Sequence, residues 1–366
     1  MTQRRARSAA QPPGAGRRTK RFNIAEIARR AGVARSTVSY ALSGKRAISP
    51  EKREQILRLV EQLGYRPNAS AKALAEGKSR TVGLVIPPPS HRLLESQLAF
   101  VAALSELASA VDLDLLLSPA AGDSDGSFRR MLSGQRVDGV LVMEVRMRDE
   151  RIAALDQSGI PYVLIGRPAD PGALFWADTD YGGLVERCVH HLAELGHRSV
   201  ALLNRPAEML ASGYGPALRA AEAFEVACAR KALRARAFCC GDDAAAGEAW
   251  VKEMLAARPG ITAAITINES ALHGVARALD RARVRVPRDF SIIGVVGERS
   301  AEDFHPPMTA AVISPVELAR GAFEMLLDRM ADPRAAPRHL LQSPAITPGA
   351  TTGRVPLPAR SRTRRG

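Results

Sequence analysis

The chain predicts an all-α helix-turn-helix headpiece followed by an α/β core of two doubly wound parallel-sheet subdomains. Three observations carry that expectation. Residues 23–63 hold three short stretches of helical periodicity, punctuated by Gly32, Ser43-Gly44 and Gly64. From Arg80 onward, short apolar runs alternate with helix-length stretches, the rhythm of parallel strands covered by helices. The charge is lopsided. Residues 1–80 carry 19 of the 52 Lys/Arg and 5 of the 38 Asp/Glu, a net +14, while the rest of the 366 residues balance at zero. All the excess positive charge therefore lies on the helical end, which suggests a polyanion bound there. A solubilising tail accounts for residues 4–21, but not for the basic residues spread from Arg29 to Arg80.

Helix one begins at Asn23, an N-cap with Glu26 three residues on in the capping-box spacing. Ile24, Ile27, Ala28 and Ala31 form its apolar face, and Gly32 ends it. The second helix, from about Arg35 to Leu42, turns Val38 and Leu42 inward. Ser49 caps a third helix with Pro50 at its first position, and Ile56, Leu59, Val60 and Leu63 recur along its buried face. Two helices around a short glycine-containing turn, braced by a third, make a helix-turn-helix unit. Pro67-Asn68 opens the segment ASAKALAEG, helical by propensity but too short to persist alone.

The core then runs TVGLVIPP as a buried strand, a helix near 94–110, LDLLLS, a helix near 125–134, VDGVLVME, a helix near 149–157, and PYVLIGR. The rhythm repeats with a helix around 181–195, SVALLN, a helix at 216–230, a strand at 234–239, a helix at 244–257, AAITI, a helix at 269–282 and SIIGVV. Two serial sets in about 270 residues predict two similar subdomains with a cleft between them. The division expected is a disordered basic tail over 1–21, the helix-turn-helix unit over 22–66, a short helix and linker over 67–79, the core over 80–353, and a basic tail over 354–366. Within the core, the N-terminal subdomain takes about 80–177 plus 309–336, and the C-terminal one about 178–308 plus 337–353.

Several function classes are disfavoured. No apolar run approaches the length of a membrane span, and the basic N-terminus lacks the apolar stretch of a secretory signal. Cys188, Cys228, Cys239 and Cys240 form no CxxC pair and are expected to be buried thiols in a reducing cytoplasm. There is no P-loop, HExxH, GxSxG or complete GxGxxG. His190 and His191 are helix neighbours that point apart, and the seven histidines are scattered, so no metal site is expected; no cofactor is expected either. The expectation is therefore a non-enzyme.

The strings IAEIARRAGV, STVSYALSG, LGYRPN and ASAKAL resemble the DNA-binding headpiece and hinge of the lactose-repressor (LacI/GalR) family of bacterial transcription regulators. VDGVL, IPYVLIGR, HHLAELGHRSVALL, VPRDFSIIG and PPMTAAVISP resemble that family's effector-binding core, which is periplasmic-binding-protein-like. The resemblance implies that Arg35, Ser36 and Tyr40 face bases in a major groove. Arg35 suits bidentate bonding to guanine; Tyr40 stands where the family often has arginine. Thr37, Ser39, Ser43 and Ser49 suit phosphate oxygens, as does Asn68 in the hinge. Leu74 resembles the family's intercalating leucine, and Ala71 is small enough for the minor-groove floor. Ala34 replaces the usual serine before the recognition helix and forgoes a cap worth about 1 kcal/mol. The partners implied are roughly palindromic double-stranded operator DNA, a second copy of the chain in a homodimer, and a small-molecule effector such as a sugar or nucleoside. The setting implied is the bacterial cytoplasm, at the nucleoid, with no membrane.

The effector site is the less regular part. Val296 stands where the family often has an aspartate, and the arginine that precedes the aromatic of its GF string falls on Ala220, beside Arg219. Asn268 matches, with Glu269 in place of aspartate. His91, Arg167, Trp176, Asp178 and Asn204 lie near strand ends, where clefts of open parallel sheets bind ligands. With Arg219 and Asn268 they form the candidate pocket set. A bilobed ligand-binding protein with no DNA role would share this core, but not the headpiece.

Overall fold

The computed structural model describes residues 23–43, 46–64, 78–87, 95–119, 126–134, 136–256 and 260–355. The chain divides into two compact units, Met1–Gly77 and Lys78–Gly366.

In the first unit, α1 spans Ile24–Ala31, α2 Arg35–Ser43 and α3 Pro50–Gln62. Asn23 Oδ1 accepts from the Glu26 amide at 3.0 Å, and Gly32 closes α1 in the left-handed region at φ 65°. The reciprocal half of the capping box does not form, because the Glu26 carboxylate is drawn forward onto Arg29 and Arg30. Ser49 caps α3 by accepting from the Lys52 amide. Ile27, Ala28, Ala31, Val38, Ala41 and Ile56 make the buried centre, with Leu59, Val60 and Leu63 packed at its rim. The helical spacing of those residues is what brings three amphipathic helices onto one small core.

The second unit holds two six-stranded sheets. The first has the order β11-β5-β4-β3-β1-β2, with β1 Thr81–Ile86, β2 Asp114–Pro119, β3 Gly139–Val142, β4 Tyr162–Ile165, β5 Trp176–Thr179 and β11 His339–Gln342, all parallel. The second has the order β12-β10-β9-β8-β6-β7, with β6 Ser199–Asn204, β7 Arg234–Cys239, β8 Ala263–Thr266, β9 Ser291–Gly297, β10 Thr309–Ile313 and the short antiparallel β12 Ile346–Thr347. Each sheet follows the same winding, with the second strand on one edge and the third to fifth on the other side of the first. The order reverses between β1 and β3 and between β6 and β8, which places a crevice at the carboxyl ends of those strands. β3, β4, β5, β8 and β9 are buried at every position, as sheets covered on both faces require.

Helices cover both faces: α4 Glu95–Ala110, α5 Gly126–Ser133, α6 Arg151–Ser158, α7 Tyr181–Glu194, α8 Ala207–Ala211, α9 Gly215–Arg230, α10 Ala244–Ala256, α11 Leu272–Arg281, α12 Glu298–Asp303 and α13 Pro315–Ala331. The lobes exchange strands in a way the sequence rhythm did not reveal. Thr309–Ile313, expected in the N-terminal subdomain, pairs with β9 in the second sheet. His339–Gln342, expected in the C-terminal one, pairs with β5 in the first. From the 309–336 segment it is α13 and the turn after it that join the first lobe, where Ala319, Ala322, Phe323, Met325 and Leu326 complete its core and Ala335 packs against it. The chain therefore crosses between lobes three times, near Asp180, Ser314 and Ser343. Trp176–Thr179, a strand the sequence rhythm did not reveal, ends just before the first of these crossings.

Cys188, Cys228 and Cys240 are buried, but Cys239 is exposed on the edge strand β7, contrary to the expectation that all four would be inside. Among the described residues no helix is long and apolar enough to cross a membrane.

Candidate nucleic-acid interface and interlobe cleft

The headpiece presents the first turn of α2 outward. Arg35 and Ser36 are exposed, Thr37 and Ser39 half-buried, and Val38 and Ala41 anchor the opposite face. This one helix thus offers two unencumbered side chains at its N-terminal end, the geometry a major-groove reader uses. Tyr40 is half-buried one turn further on, with the Arg46 guanidinium 5.8 Å from its ring centroid. Ala34 contributes only its carbonyl to the helix start, accepting from the Thr37 and Val38 amides. Ser49 is exposed, and its hydroxyl is already turned to the Lys52 amide. The Ser43 side chain, Asn68, Ala71, Leu74 and His91 lie outside the described residues.

In the core, four of the predicted residues gather. Asp178, on β5, is 4% exposed, with Arg167 Nη1 at 3.5 Å and Arg219 Nη1 at 3.9 Å from its Oδ2. Neither approach is a hydrogen bond. Burial therefore outweighs the two guanidiniums and the Thr179 amide, and pushes the carboxyl up to about 6. Trp176, two residues earlier, stacks on His339 with ring centroids 4.7 Å apart, and Arg167 lies 5.2 Å from its ring. At 8% exposure it is a packed residue rather than an open platform.

The two asparagines are occupied elsewhere. Asn204 Nδ2 donates to the Ala217 carbonyl at 3.0 Å, and its Oδ1 accepts from the Arg205 amide. Asn268 Nδ2 donates to the Cys240 carbonyl at 3.0 Å, and its Oδ1 accepts from the Ala271 amide. Both side chains tie strand-end loops of the second lobe together. Val296, where an aspartate was expected, is fully buried in that lobe's core.

A cavity of about 110 Å³ opens between the lobes, lined among others by Ser96, Gln97, Glu144, Asp178, Tyr181 and Tyr214. Among the described residues of the predicted set only Asp178 reaches it. Sequence reasoning missed the rest. Glu144 follows β3 in the left-handed region at φ 52°, a strand-end conformation unusual for a side-chain-bearing residue, and accepts from Gln97 Nε2 at 3.2 Å. Tyr181 and Tyr214 each stand at a helix start, and burial raises both phenols above their ordinary range. A tyrosine beside a cap gives no sequence signal that separates it from core. Arg205, immediately after β6, is 5% exposed and donates to Asp242 at 2.9 Å, while its Nε and Nη1 find no partner. Glu269 Oε1 accepts from the Gly297 amide at 2.6 Å, and burial raises its carboxyl.

The raised Asp178 carboxyl has a consequence for stability. In the unfolded chain it ionises near the ordinary carboxylate value of about 3.9; in the folded chain it holds its proton to about 6. Between about pH 4 and 6 the unfolded state has lost a proton that the folded state keeps. Its contribution to stability thus falls as pH rises through that window and is level above it, by on the order of 2 to 3 kcal/mol. Urea midpoints of the parent, measured against Asp178→Asn, should decline from pH 4 to 6. Parallel curves would contradict this assignment.

Comparison with known proteins adds to this geometry. Residues 23–68 match the model of bacterial regulatory proteins of the lacI family, and residues 189–352 the periplasmic binding protein-like domain. The chain is 30% identical over 338 residues to the HTH-type transcriptional regulator CelR of Thermobifida fusca, covering 88% of this chain and 96% of that one. It is 28% identical to the HTH-type transcriptional repressor PurR of Vibrio atlanticus, covering 90% and 98%. Among solved structures, the CelR–cellobiose complex matches with 25% identity and a TM-score of 0.65, over 90% of this chain and all of that one. The lac repressor dimer bound to operator and the anti-inducer ONPF shares the fold, with a TM-score of 0.79 at 22% identity, over 91% of this chain and all of that one.

Proposed function

The chain belongs to the lacI family of bacterial regulatory proteins, and from that premise we propose that this DNA-binding transcription regulator is a repressor whose grip on its operator is set by a small molecule held in the interlobe cavity. The observation that carries the DNA half is the exposed pair Arg35 and Ser36 at the start of α2, on the part of the chain that bears the net +14. Arg35, Ser36 and Tyr40 read bases, and Thr37, Ser39, Ser43, Ser49 and Asn68 hold phosphates. Ala71 and Leu74 enter the minor groove. Two copies bind as a homodimer on a roughly palindromic site. The chain acts on nucleoid DNA in the cytoplasm and catalyses no reaction of its own; relatives that match it nearly end to end are named as regulators.

The effector is a small hydroxylated molecule, a sugar or nucleoside. Asp178, Glu144 and Gln97 offer acceptors and donors around the cavity, and the two tyrosines add apolar ring faces with polar tips. The solved structure of the relative CelR holds cellobiose, which supports a sugar.

Electrostatics gives the test. A protein that neutralises 6–10 phosphates shows a slope of roughly −5 to −9 in log affinity against log salt. Gel-shift titrations of the full chain between about 50 and 200 mM salt should fall in that range. An affinity indifferent to salt would remove the DNA reading.

A further inference from the structure

We propose that the segment Gly213–Arg219 is an interlobe latch, fastened by Arg219, and that Arg219 positions the lobes rather than binding the effector. The segment belongs to the second lobe, where it runs into α9, yet it is bonded to the first. Arg219 Nη2 donates to the carbonyls of Arg167 at 2.9 Å and Pro168 at 3.0 Å, both in the loop after β4. Its Nη1 lies 3.9 Å from Asp178. One guanidinium from the second lobe thus covers three oxygen-bearing groups of the first, in a side chain only 14% exposed. Beside it the backbones join. The Met147 amide donates to the Gly213 carbonyl at 2.7 Å, the Gly215 amide to the Val145 carbonyl at 3.4 Å, and Arg146 and Tyr214 form an isolated antiparallel bridge.

Gly215 shows how close the fit is. It does not lie in the left-handed region, so its glycine is a matter of space. A Cβ there would stand 2.5 Å from Arg219 Nη1, 3.4 Å from the Val145 carbonyl oxygen and 3.5 Å from that of Arg167. The guanidinium is held by its two carbonyl bonds, so a methyl group must displace either the arginine or the first lobe. Parting the lobes strands buried acceptors that a planar, forked cation satisfies together, and a lysine offers only a point charge in its place.

The latch is wired to the cavity. Tyr214, the second residue of the segment, lines it, and Asp178 touches both the cavity and Arg219. A molecule pressing on Tyr214 acts on the same few residues that hold the lobes together. The relation follows from the geometry of the core alone, so it stands or falls separately from any DNA activity.

Hydrogen exchange on the full chain without ligand tests it, by comparing Met147 and Gly215 amides with sheet amides such as Val140 and Ile265. Arg219→Gln and Gly215→Ala should each speed exchange at Met147 at least tenfold while sheet amides keep their protection. Arg219→Lys should give an intermediate loss. Unchanged protection at Met147 in both Arg219→Gln and Gly215→Ala would overturn the latch. So would a loss that spreads equally through the sheets in Gly215→Ala, which keeps every donor and acceptor, because it would mark a general packing defect.

Discussion

Ile56→Ala should abolish specific DNA binding while leaving the core folded. Ile56 is fully buried at the centre of the three-helix unit, in one cluster with the α1 and α2 residues that hold α2 in place. Removing its branched side chain from such a site costs about 2 to 5 kcal/mol. A unit this small buries too little surface to carry much stability in reserve. The loss is therefore comparable with all the stability it has, and α2 disperses. Because Met1–Gly77 and Lys78–Gly366 are separate compact units, the core's unfolding transition should stay where it is in the parent. Circular dichroism melts and gel shifts on the same preparation check both halves. Parent-like binding by the variant would mean that α2 is not the reading element.

Arg35→Ala acts without unfolding anything. Arg35 is exposed at the first position of α2, with its apolar anchors Val38 and Ala41 on the other face. A bidentate arginine–guanine contact is worth about 1 to 3 kcal/mol of discrimination, or roughly 5- to 150-fold. The variant should lose that factor on its operator and keep its weaker affinity for random duplex. Arg35→Lys separates the two roles an arginine can have. If Arg35 reads a base, lysine should restore little; if it only meets phosphate, lysine should restore most of the binding. Competition gel shifts with operator and scrambled duplex give the ratio directly.

The headpiece was legible because every signal in it is local. Caps at Asn23 and Ser49, stops at Gly32 and Gly64, and the helical spacing of apolar residues within each helix, as in Ile24, Ile27, Ala28 and Ala31, all depend on neighbours in sequence. The strands of the core were legible where both faces are covered, since burial at every position leaves an apolar run. Trp176–Thr179 escaped because its polar half ends at the cleft, so it reads as WADT although each residue is buried. The partition between lobes failed for a topological reason. An alternation of strands and helices tells how many strands there are, not which sheet each joins, and β10 and β11 each join the sheet opposite to the one expected.

The cleft was the least legible part. Asn204 and Asn268 stand at strand ends, where ligands bind, yet both amides are bonded to backbone. Residues at strand ends also have loops to hold, and a sequence does not say which task a side chain has. Arg219 lies beside the position the resemblance pointed to, but its donors face the first lobe. Glu144 follows β3 into the crevice, whereas Tyr181 and Tyr214 meet it from the second lobe, where the crossing of the chain brings them and no local pattern announces it.

Selection of genomic fragments by the purified full-length chain, with random duplex as competitor, tests the central claim most directly. The account predicts strong enrichment of a small set of roughly palindromic sites, lost in Ile56→Ala and shifted by a metabolite that occupies the cavity. Recovery of genomic and random DNA in equal amounts, with and without candidate sugars and nucleosides, would contradict it.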